Sequence, residues 1–295
     1  KPLPTDWRKW ILGARPRTLP AAIAPVLVGT AVAPRALLSA WVFLCALGVA
    51  VFVQIATNYA NDYSDGKRGT DDPGARVGPP RLVGNGLATP GEVKRAMLIA
   101  FGLTGLCGLP LVVFVDWKLI VVGVAAMAAG WFYTGGNRPY GYAGFGEVFV
   151  FVFFGLVATV GSFYVQTLTI TWLAVVSGAA MGCLSTALLV VNNLRDIPSD
   201  RLSGKRTLET MLGDRYSRWF YVLLVVIAVA AVVLTAAGTT WWALLGLSAL
   251  VFLVPATRHI ITGGTGFALV RTLKLTGFAE LAAGIGLFVG CLIGV

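Results

Sequence analysis

The chain contains one polar stretch twice, and its acidic residues are the strongest candidates for chemistry. The first copy, at 58–70, reads Asn-Tyr-Ala-Asn-Asp-Tyr-Ser-Asp-Gly-Lys-Arg-Gly-Thr. The second begins Asn-Asn-Leu-Arg-Asp-Ile-Pro-Ser-Asp at residue 192 and closes with Gly-Lys-Arg-Thr at 204–207. In each copy an Asn precedes an Asp by four residues, another Asp follows, and a basic segment ends the motif. Carboxylates beside lysine and arginine predict a diphosphate site bridged by divalent cations.

The spacing within each copy indicates how its side chains are arranged. On a helix, residues four apart share a face, so Asn58 lies beside Asp62 and the second copy repeats the arrangement. Carboxylates at the carboxyl end of a helix are disfavoured unless a cation neutralises them. Oxygen ligands without histidine or cysteine favour Mg²⁺. The expected metal ligands are Asp62, Asp65, Asp196 and Asp200, with Asp71 and Asp72 as alternatives to Asp65.

The composition predicts an all-α, polytopic membrane protein. Hydrophobic residues make up 57% of the chain and charged residues 12%, and a spanning helix needs about 20 apolar residues. The apolar runs predict nine spans, at 18–34, 37–57, 96–115, 118–136, 146–165, 171–193, 217–236, 241–257 and 274–294. Polar or aromatic residues at 166–171 and 235–242 predict short turns between spans. Residues 1–17, with their basic side chains and tryptophans, predict an interfacial lead-in.

A net charge of +10 could indicate nucleic-acid binding, but a membrane protein has such an excess of lysine and arginine in its cytoplasmic loops. We therefore expect no nucleic-acid partner. The single histidine and four scattered cysteines argue against haem, histidine-ligated metal and redox chemistry.

The positions of the basic residues predict the orientation. With a cytoplasmic N-terminus, all but Arg35 and Lys118 of the 23 lysines and arginines lie on the cytoplasmic side, as the positive-inside rule requires. Both acidic motifs then end even-numbered spans and face the cytoplasm. In the first motif, at 58–72, and the second, at 192–207, Asn58 and Asn192 are 134 residues apart, and so are Asp62 and Asp196. This spacing indicates duplication of a four-helix unit within a single domain covering 1–295.

Three further features carry expectations about local structure. Pro198 interrupts the second motif and leaves open whether Asp196 and Asp200 share a regular helical turn. Glu280, an acid within the last span, is expected to be a buried carboxyl paired with a neighbour such as Lys274. The glycines at 286, 290 and 294 predict close helix packing, either within the fold or in a homo-oligomer.

The motifs and their order resemble the UbiA superfamily of intramembrane prenyltransferases. The matching blocks are Arg-Pro-Arg-Thr-Leu-Pro at 15–20, the first motif continuing into Arg-Val-Gly at 76 and Arg-Leu-Val at 81, Tyr-Thr-Gly-Gly at 133 with Arg-Pro-Tyr-Gly-Tyr-Ala-Gly at 138–144, and the second motif. They extend over nearly the whole chain. The chain is most similar to the actinobacterial branch that prenylates 1,4-dihydroxy-2-naphthoate, which implies a bundle of nine helices in two pseudo-repeated four-helix units.

The resemblance implies a reaction and a location. A polyprenyl diphosphate binds with Mg²⁺ between the two motifs and ionises toward an allylic cation. The naphthoate ring attacks that cation, and loss of CO₂ gives demethylmenaquinone in menaquinone biosynthesis. The enzyme is expected in a bacterial cell membrane, with its active site open to the cytoplasm.

The resemblance also assigns roles to residues of this chain. The expected catalytic residues are Asp62, Asp196, Arg138 and Tyr140. The expected substrate-binding residues are Asn58, Lys67, Arg68, Arg81, Tyr133, Asn192, Lys205, Arg206 and Arg17. Which residue deprotonates the acceptor is left open, and so is the prenyl chain length.

The chain departs from the superfamily pattern in two places. The second acid of the first motif is Asp65, one residue before the usual position, which Gly66 occupies here. Pro80 and Asn137 stand where leucine and proline are expected. The first departure leaves open which acid completes the first metal site.

Several alternatives remain within and outside the superfamily. Another acceptor, such as 4-hydroxybenzoate, would keep the fold, and haem O or chlorophyll synthesis belongs to the same superfamily. A cation-coupled secondary transporter would place its acids near mid-membrane, whereas these lie at span ends beside basic residues. The CDP-alcohol phosphotransferase pattern is absent from the sequence.

Overall fold

A computed structural model of the protein describes residues 3–69 and 80–294, and these residues form a helical bundle. The α-helices are α1 (Arg8–Ala14), α2 (Pro20–Ala31), α3 (Ala40–Arg68), α4 (Pro90–Phe114), α5 (Leu119–Phe132), α6 (Gly146–Val150), α7 (Ala158–Thr167), α8 (Trp172–Leu202), α9 (Leu208–Gly238), α10 (Leu250–Ile261) and α11 (Phe267–Ile293). A π-helical segment, Phe151–Val157, joins α6 to α7, and a 3₁₀ segment, Trp241–Ala249, leads into α10.

Among the described residues, seven helical segments are long and apolar enough to cross a membrane: α3, α4, the continuous segment Gly146–Thr167, α8, α9, the segment Trp241–Ile261, and α11. The helices at the predicted first and fourth spans are shorter, with 12 residues in α2 and 14 in α5. At a rise of about 1.5 Å per residue, neither covers a hydrocarbon core of about 30 Å by itself. The prediction of a polytopic all-α protein is confirmed, and the count of nine spans is not.

The short helix α2 lies at the centre of the bundle, in contact with α3, α7, α8 and α11. Small residues permit this close packing. A Cβ atom built on Gly29 would lie 2.1 Å from the carbonyl oxygen of Thr159 on α7, and one on Gly284 of α11 would lie 2.7 Å from the Cβ of Ala24. Most of α2 is buried as a result.

The two motif helices extend well beyond their predicted spans. Helix α3 continues to Arg68 and α8 to Leu202, so the acidic residues of both motifs are helical. The question that Pro198 left open has a clear answer, because α8 continues through Pro198 and includes both Asp196 and Asp200. The missing N–H removes one backbone hydrogen bond near the last turns, and the side chain of Pro198 is exposed, so its ring meets no packed neighbour.

Two other local expectations have clear outcomes. The carboxyl of Glu280 accepts a hydrogen bond from the hydroxyl of Ser185, and Lys274 is exposed, so the predicted Glu280–Lys274 pair is wrong. The glycine stripe packs within the fold. A Cβ atom on Gly286 or Gly290 would lie 2.2 Å from a carbonyl oxygen of the 3₁₀ segment before α10.

The packing of α2 gives a stability prediction. Gly29→Ala should destabilise the protein by about 1–3 kcal/mol, because α2 must move away from the backbone of α7. The control is Gly161→Ala on α7, where no atom lies within 4 Å of the added Cβ. That change should be neutral or stabilise by about 0.4–1 kcal/mol. Thermal unfolding in detergent measures both, and equal melting temperatures would contradict the close packing of α2 on α7.

Candidate active site

The buried carboxylate of Asp62 is held by three groups from two other parts of the chain. The side chain is 1% exposed and lies near the carboxyl end of α3. The guanidinium groups of Arg15 and Arg81 both donate to Oδ1, the latter at 2.9 Å, and the backbone N–H of Leu82 donates to Oδ2 at 3.1 Å. The counter-charge that this position requires therefore comes from two arginines.

Arg15 reaches Asp62 through an unusual backbone conformation. Its φ of 51° and ψ of 68° lie in the left-handed region, between α1 and the 3₁₀ turn Pro16–Thr18. A residue other than glycine adopts this conformation at a cost of about 1–3 kcal/mol, and such residues cluster at functional sites. Arg17 is the predicted substrate-binding residue of this segment, but Arg17 is exposed and Arg15 makes the contact with the motif.

Asn58 and Tyr59, the first residues of the first motif, hydrogen-bond to the N-terminal segment and hold it against α3. The side-chain amide of Asn58 donates to the carbonyl oxygen of Ala14 at 2.9 Å and to the hydroxyl of Thr18 at 3.0 Å. The hydroxyl of Tyr59 donates to the carbonyl oxygen of Trp10 at 2.8 Å. These contacts position the segment that carries Arg15.

The second motif contains its own counter-charge. Arg195 makes two hydrogen bonds of 2.7 Å to the carboxylate oxygens of Asp196 and a third, of 2.9 Å, to the amide oxygen of Asn192. Both members of the ion pair are buried. In each motif, then, a guanidinium group neutralises the central aspartate.

Tyr142 brings the two motifs together. Its hydroxyl donates to Oδ1 of Asp65 at 2.8 Å. The ammonium nitrogen of Lys205, from the second motif, lies 5.2 Å from the centroid of its ring, and the guanidinium carbon of Arg68, from the first motif, lies 5.3 Å from it. Residues from both motifs therefore surround one aromatic side chain, within the range of cation–π attraction.

The loop between α5 and α6 contains Tyr142, and its backbone is hydrogen-bonded to residues of both motifs. The guanidinium of Arg68 donates to the carbonyl oxygens of Thr134 and Gly136. Farther along the loop, Ala143 forms an isolated parallel β-bridge with Arg206 of the second motif. The backbone of this loop thus links the two halves of the site.

Two tyrosines of the loop have strongly perturbed hydroxyl groups. Burial raises the pKa of Tyr133 well above its usual value, and the charges of Glu147, Asp65 and Glu209 raise it further. Burial also raises the pKa of Tyr140, whose hydroxyl donates to the carbonyl oxygen of Ala129 at 2.7 Å. Both phenols stay protonated at neutral pH. They can therefore donate hydrogen bonds and offer π-faces, but they cannot act as bases.

Two buried glutamates adjoin the second motif, although the sequence motifs do not single them out. Glu147 is 3% exposed and Glu209 is 0% exposed. The amide nitrogen of Asn193 donates to Oε1 of Glu147 at 2.8 Å, while within residues 3–69 and 80–294 neither Oε2 of Glu147 nor either carboxyl oxygen of Glu209 has a hydrogen-bond partner. Each glutamate is the second residue of an apolar helix, a position that by sequence alone indicates ordinary helix capping.

The other predicted site residues occupy varied environments. Lys67 lies 5.5 Å above the ring of Tyr63, Asp200 is buried, and the remaining basic candidates, Arg17, Arg138 and Arg206, are exposed. Asp71 and Asp72 lie outside the described residues. Within 3–69 and 80–294, no three acidic, histidine or cysteine side chains converge as a metal site. Each motif instead has two described aspartates, Asp62 and Asp65 in the first and Asp196 and Asp200 in the second.

The fold and site together define an intramembrane helical bundle with two acidic, arginine-neutralised motifs around a basic and aromatic centre. The chain belongs to the UbiA prenyltransferase family, whose sequence profile matches residues 22–290.

Named relatives agree with this assignment. The chain is 49% identical to the 1,4-dihydroxy-2-naphthoate octaprenyltransferase of Mycobacterium tuberculosis, over 94% of each chain. It is 42% identical to the protein of the same name in Escherichia coli, over 72% of this chain and 71% of that protein.

Solved structures show the same fold at low sequence identity. The apo structure of a UbiA homolog from Aeropyrum pernix superposes with a TM-score of 0.70 at 15% identity, covering 92% of this chain and 96% of that chain. A UbiA homolog from Archaeoglobus fulgidus bound to GPP and Mg²⁺ gives a TM-score of 0.61 at 14% identity, covering 95% and 99%.

The pairing of Asp62 with two arginines gives a second stability prediction. The double variant Arg15→Ala, Arg81→Ala should lose about 3–5 kcal/mol, because it removes both counter-charges from a buried carboxylate. Adding Asp62→Asn to the double variant should restore much of that loss. Thermal unfolding in detergent measures the effect.

The control for these variants is Arg8→Ala, which removes an exposed arginine paired with Asp6 at the surface and should leave the melting temperature unchanged. If Asp62→Asn restored nothing in the double variant, the buried charge would not be the cause of the instability.

Proposed function

We propose that the protein transfers a prenyl group from a polyprenyl diphosphate to 1,4-dihydroxy-2-naphthoate, releasing diphosphate and CO₂ and producing demethylmenaquinone as its quinol. The observation that carries this proposal is the convergence of Asp65, Arg68 and Lys205 on Tyr142. It supports a diphosphate site between the motifs. The names of the 49% and 42% identical relatives support the naphthoate acceptor.

The basic residues around Tyr142 are suited to the diphosphate. Arg68 and Lys205 lie on opposite motifs, and Arg206 follows Lys205 at the exposed edge of the site. Guanidinium and ammonium groups bind phosphate oxygens through charge-assisted hydrogen bonds. Charge that develops on the departing diphosphate is therefore stabilised by groups already in position.

The carboxylates fit Mg²⁺, which the Archaeoglobus homolog binds together with GPP. Mg²⁺ is usually bound by one or two carboxylates, with water and substrate phosphates as its other ligands. The two acidic pairs, Asp62 with Asp65 and Asp196 with Asp200, supply oxygen ligands of this kind. When bound, Mg²⁺ supplies positive charge that stabilises the leaving diphosphate. Arg15, Arg81 and Arg195 neutralise the central aspartates in the structure described here.

Aromatic residues near the motifs are suited to an allylic cation. The rings of Tyr63 and Trp131 stack at 6.1 Å between centroids, and Tyr133 meets Tyr140 edge to face at 5.5 Å. Such π-faces attract cations. The apolar surroundings exclude water, which would otherwise capture the cation before the naphthoate ring attacks.

We also propose how many times the chain crosses the membrane and in which orientation. We propose nine membrane-crossing segments, with α2 and α5 as short members of a single domain. We propose a cytoplasmic N-terminus and an active site open to the cytoplasm of a bacterial cell. The distribution of the basic residues supports this orientation.

The proposed duplication has structural support of its own. Helices α3 and α8 end in equivalent motifs, and each packs against the long helix that follows it. Those following helices, α4 and α9, both begin after a threonine N-cap, Thr89 and Thr207 respectively.

An acceptor competition tests the proposed function. Purified protein in detergent receives Mg²⁺, a polyprenyl diphosphate and equal amounts of 1,4-dihydroxy-2-naphthoate and 4-hydroxybenzoate. We expect prenylated naphthoquinol with one CO₂ per product, measured by mass spectrometry and gas release. Prenylated hydroxybenzoate would assign a different acceptor, and no product from either would favour a transporter.

Asp196→Asn tests the metal and diphosphate site directly. We expect turnover to fall by about 10²-fold or more, because the leaving-group charge loses part of its stabilisation, and the Mg²⁺ concentration for half-maximal activity to rise. EDTA should abolish the activity of the unsubstituted protein, and Mg²⁺ should restore it.

The control for Asp196→Asn is Asp214→Asn, since that carboxylate pairs with Arg218 one helical turn away and is 61% exposed. It should retain normal turnover. Normal turnover and Mg²⁺ dependence in Asp196→Asn itself would contradict the assignment.

A further inference from the structure

An apolar groove of about 700 Å³ lies between α9 and α10. Helix α10 lines it over its whole length, from Leu250 to Ile261, and Ala230 and three valines line it from α9. Val226 of α9 is 59% exposed and Val254 of α10 is 62% exposed, so the groove opens to the surface of the bundle. Among the described residues that line it, none belongs to either acidic motif. The groove is therefore separate from the diphosphate site.

The groove is about as long as one leaflet of a bilayer is deep. Its wall on α10 has 12 residues, which extend about 18 Å at a rise of about 1.5 Å per residue. Half of a hydrocarbon core of about 30 Å is about 15 Å. A groove of this length fits an acyl chain from a single leaflet.

One end of the groove lies at the membrane interface, on the side of the two motifs. Helix α9 begins directly after the second motif, and the guanidinium of Arg218 in α9 donates to the carbonyl oxygen of Ile260 at 2.8 Å. This contact brings the last turn of α10 level with Trp219, which is 58% exposed. Tryptophans of membrane proteins concentrate at the level of the lipid headgroups. Arg258, in the last turn of α10, therefore lies at headgroup level.

Arg258 supplies one positive charge at this end of the groove. Its side chain is exposed and lines the groove. The charge of Arg218 is already neutralised, because its guanidinium makes two hydrogen bonds, of 2.7 and 2.8 Å, to the carboxylate of Asp214. Within residues 3–69 and 80–294, no acidic side chain pairs with Arg258. A guanidinium group above an apolar groove suits a ligand with an anionic head and a long apolar chain.

We propose that the groove binds one anionic glycerophospholipid of the leaflet next to the motifs, with an acyl chain between α9 and α10 and its phosphate on Arg258. Basic pockets between membrane helices bind anionic lipid headgroups. A phosphodiester carries one negative charge, which one guanidinium matches. A prenyl diphosphate carries more charge, and the described residues that line the groove include neither a second cation nor a carboxylate pair for Mg²⁺.

Lipid binding in detergent tests this proposal without any turnover, so its result is independent of the proposed function. Purified protein receives phosphatidylglycerol or phosphatidylcholine with the same acyl chains, and native mass spectrometry counts the lipids retained at each concentration. We expect one phosphatidylglycerol to bind in preference to phosphatidylcholine. The melting temperature should also rise more with phosphatidylglycerol, because a ligand that binds only the folded state stabilises that state.

Two substitutions test the two parts of the groove separately. Arg258→Gln should weaken the binding of phosphatidylglycerol by about fivefold, which is the contribution of one basic residue near an anionic membrane surface. It should leave the binding of phosphatidylcholine unchanged. Ala230→Trp places a large side chain in the groove and should lower the retention of both lipids.

Each substitution has a matched control. Lys94→Gln removes an exposed basic residue in the first turns of α4. Ile227→Trp adds the same large side chain to α9 at a residue that is 42% exposed and does not line the groove. Both control variants should bind phosphatidylglycerol as the unsubstituted protein does.

Three outcomes would overturn the proposal. The first is equal retention of the two phospholipids by the unsubstituted protein, or an unchanged affinity for phosphatidylglycerol in Arg258→Gln. The second is preferential retention of a polyprenyl diphosphate that Ala230→Trp abolishes, which would make the groove a substrate site. The third is a dimer in lipid-free detergent that Ala230→Trp dissociates, which would make the groove an interface between two copies of this chain.

Discussion

The need to neutralise buried carboxylates at the ends of apolar helices governs the structure of this site. Asp62 lies almost fully buried near the end of α3, where the helix dipole adds to its negative charge. Arg15 and Arg81 provide the counter-charge, and Arg15 does so from a left-handed backbone position. The course of the N-terminal segment, the anchoring role of Asn58 and the packing of α1 on α3 all follow from bringing that guanidinium to Asp62.

The second organising element is the loop between α5 and α6. Tyr142 accepts the cations of both motifs on its ring and gives its hydroxyl to Asp65. The hydrogen bonds from Arg68 to Thr134 and Gly136, and the bridge between Ala143 and Arg206, hold the loop at the junction of the two motif helices. The loop therefore makes one site from two motifs that are far apart in the chain, with Arg68 of the first motif and Lys205 of the second on the same ring.

Sequence patterns were most informative where the length and polarity of a segment decide its structure. Long apolar runs predicted the membrane class, because the bilayer accepts only segments of suitable length and polarity. They were less informative at α2 and α5, where the helices are shorter than the apolar runs that contain them. At Pro198 the sequence left the local structure open, and an exposed ring lets α8 continue through a residue that usually ends a helix.

The sequence by itself determined the helical membrane class, the two acidic motifs and the family resemblance, since each depends on residue type and short-range spacing. Only the tertiary structure decided that Arg15, rather than Arg17, meets Asp62, that Tyr142 joins the motifs, and that Glu147 lies against Asn193 of the second motif. Each of these contacts joins residues far apart in the chain. Their positions depend on how small residues such as Gly29 let the helices approach one another, and short-range sequence patterns do not encode that geometry.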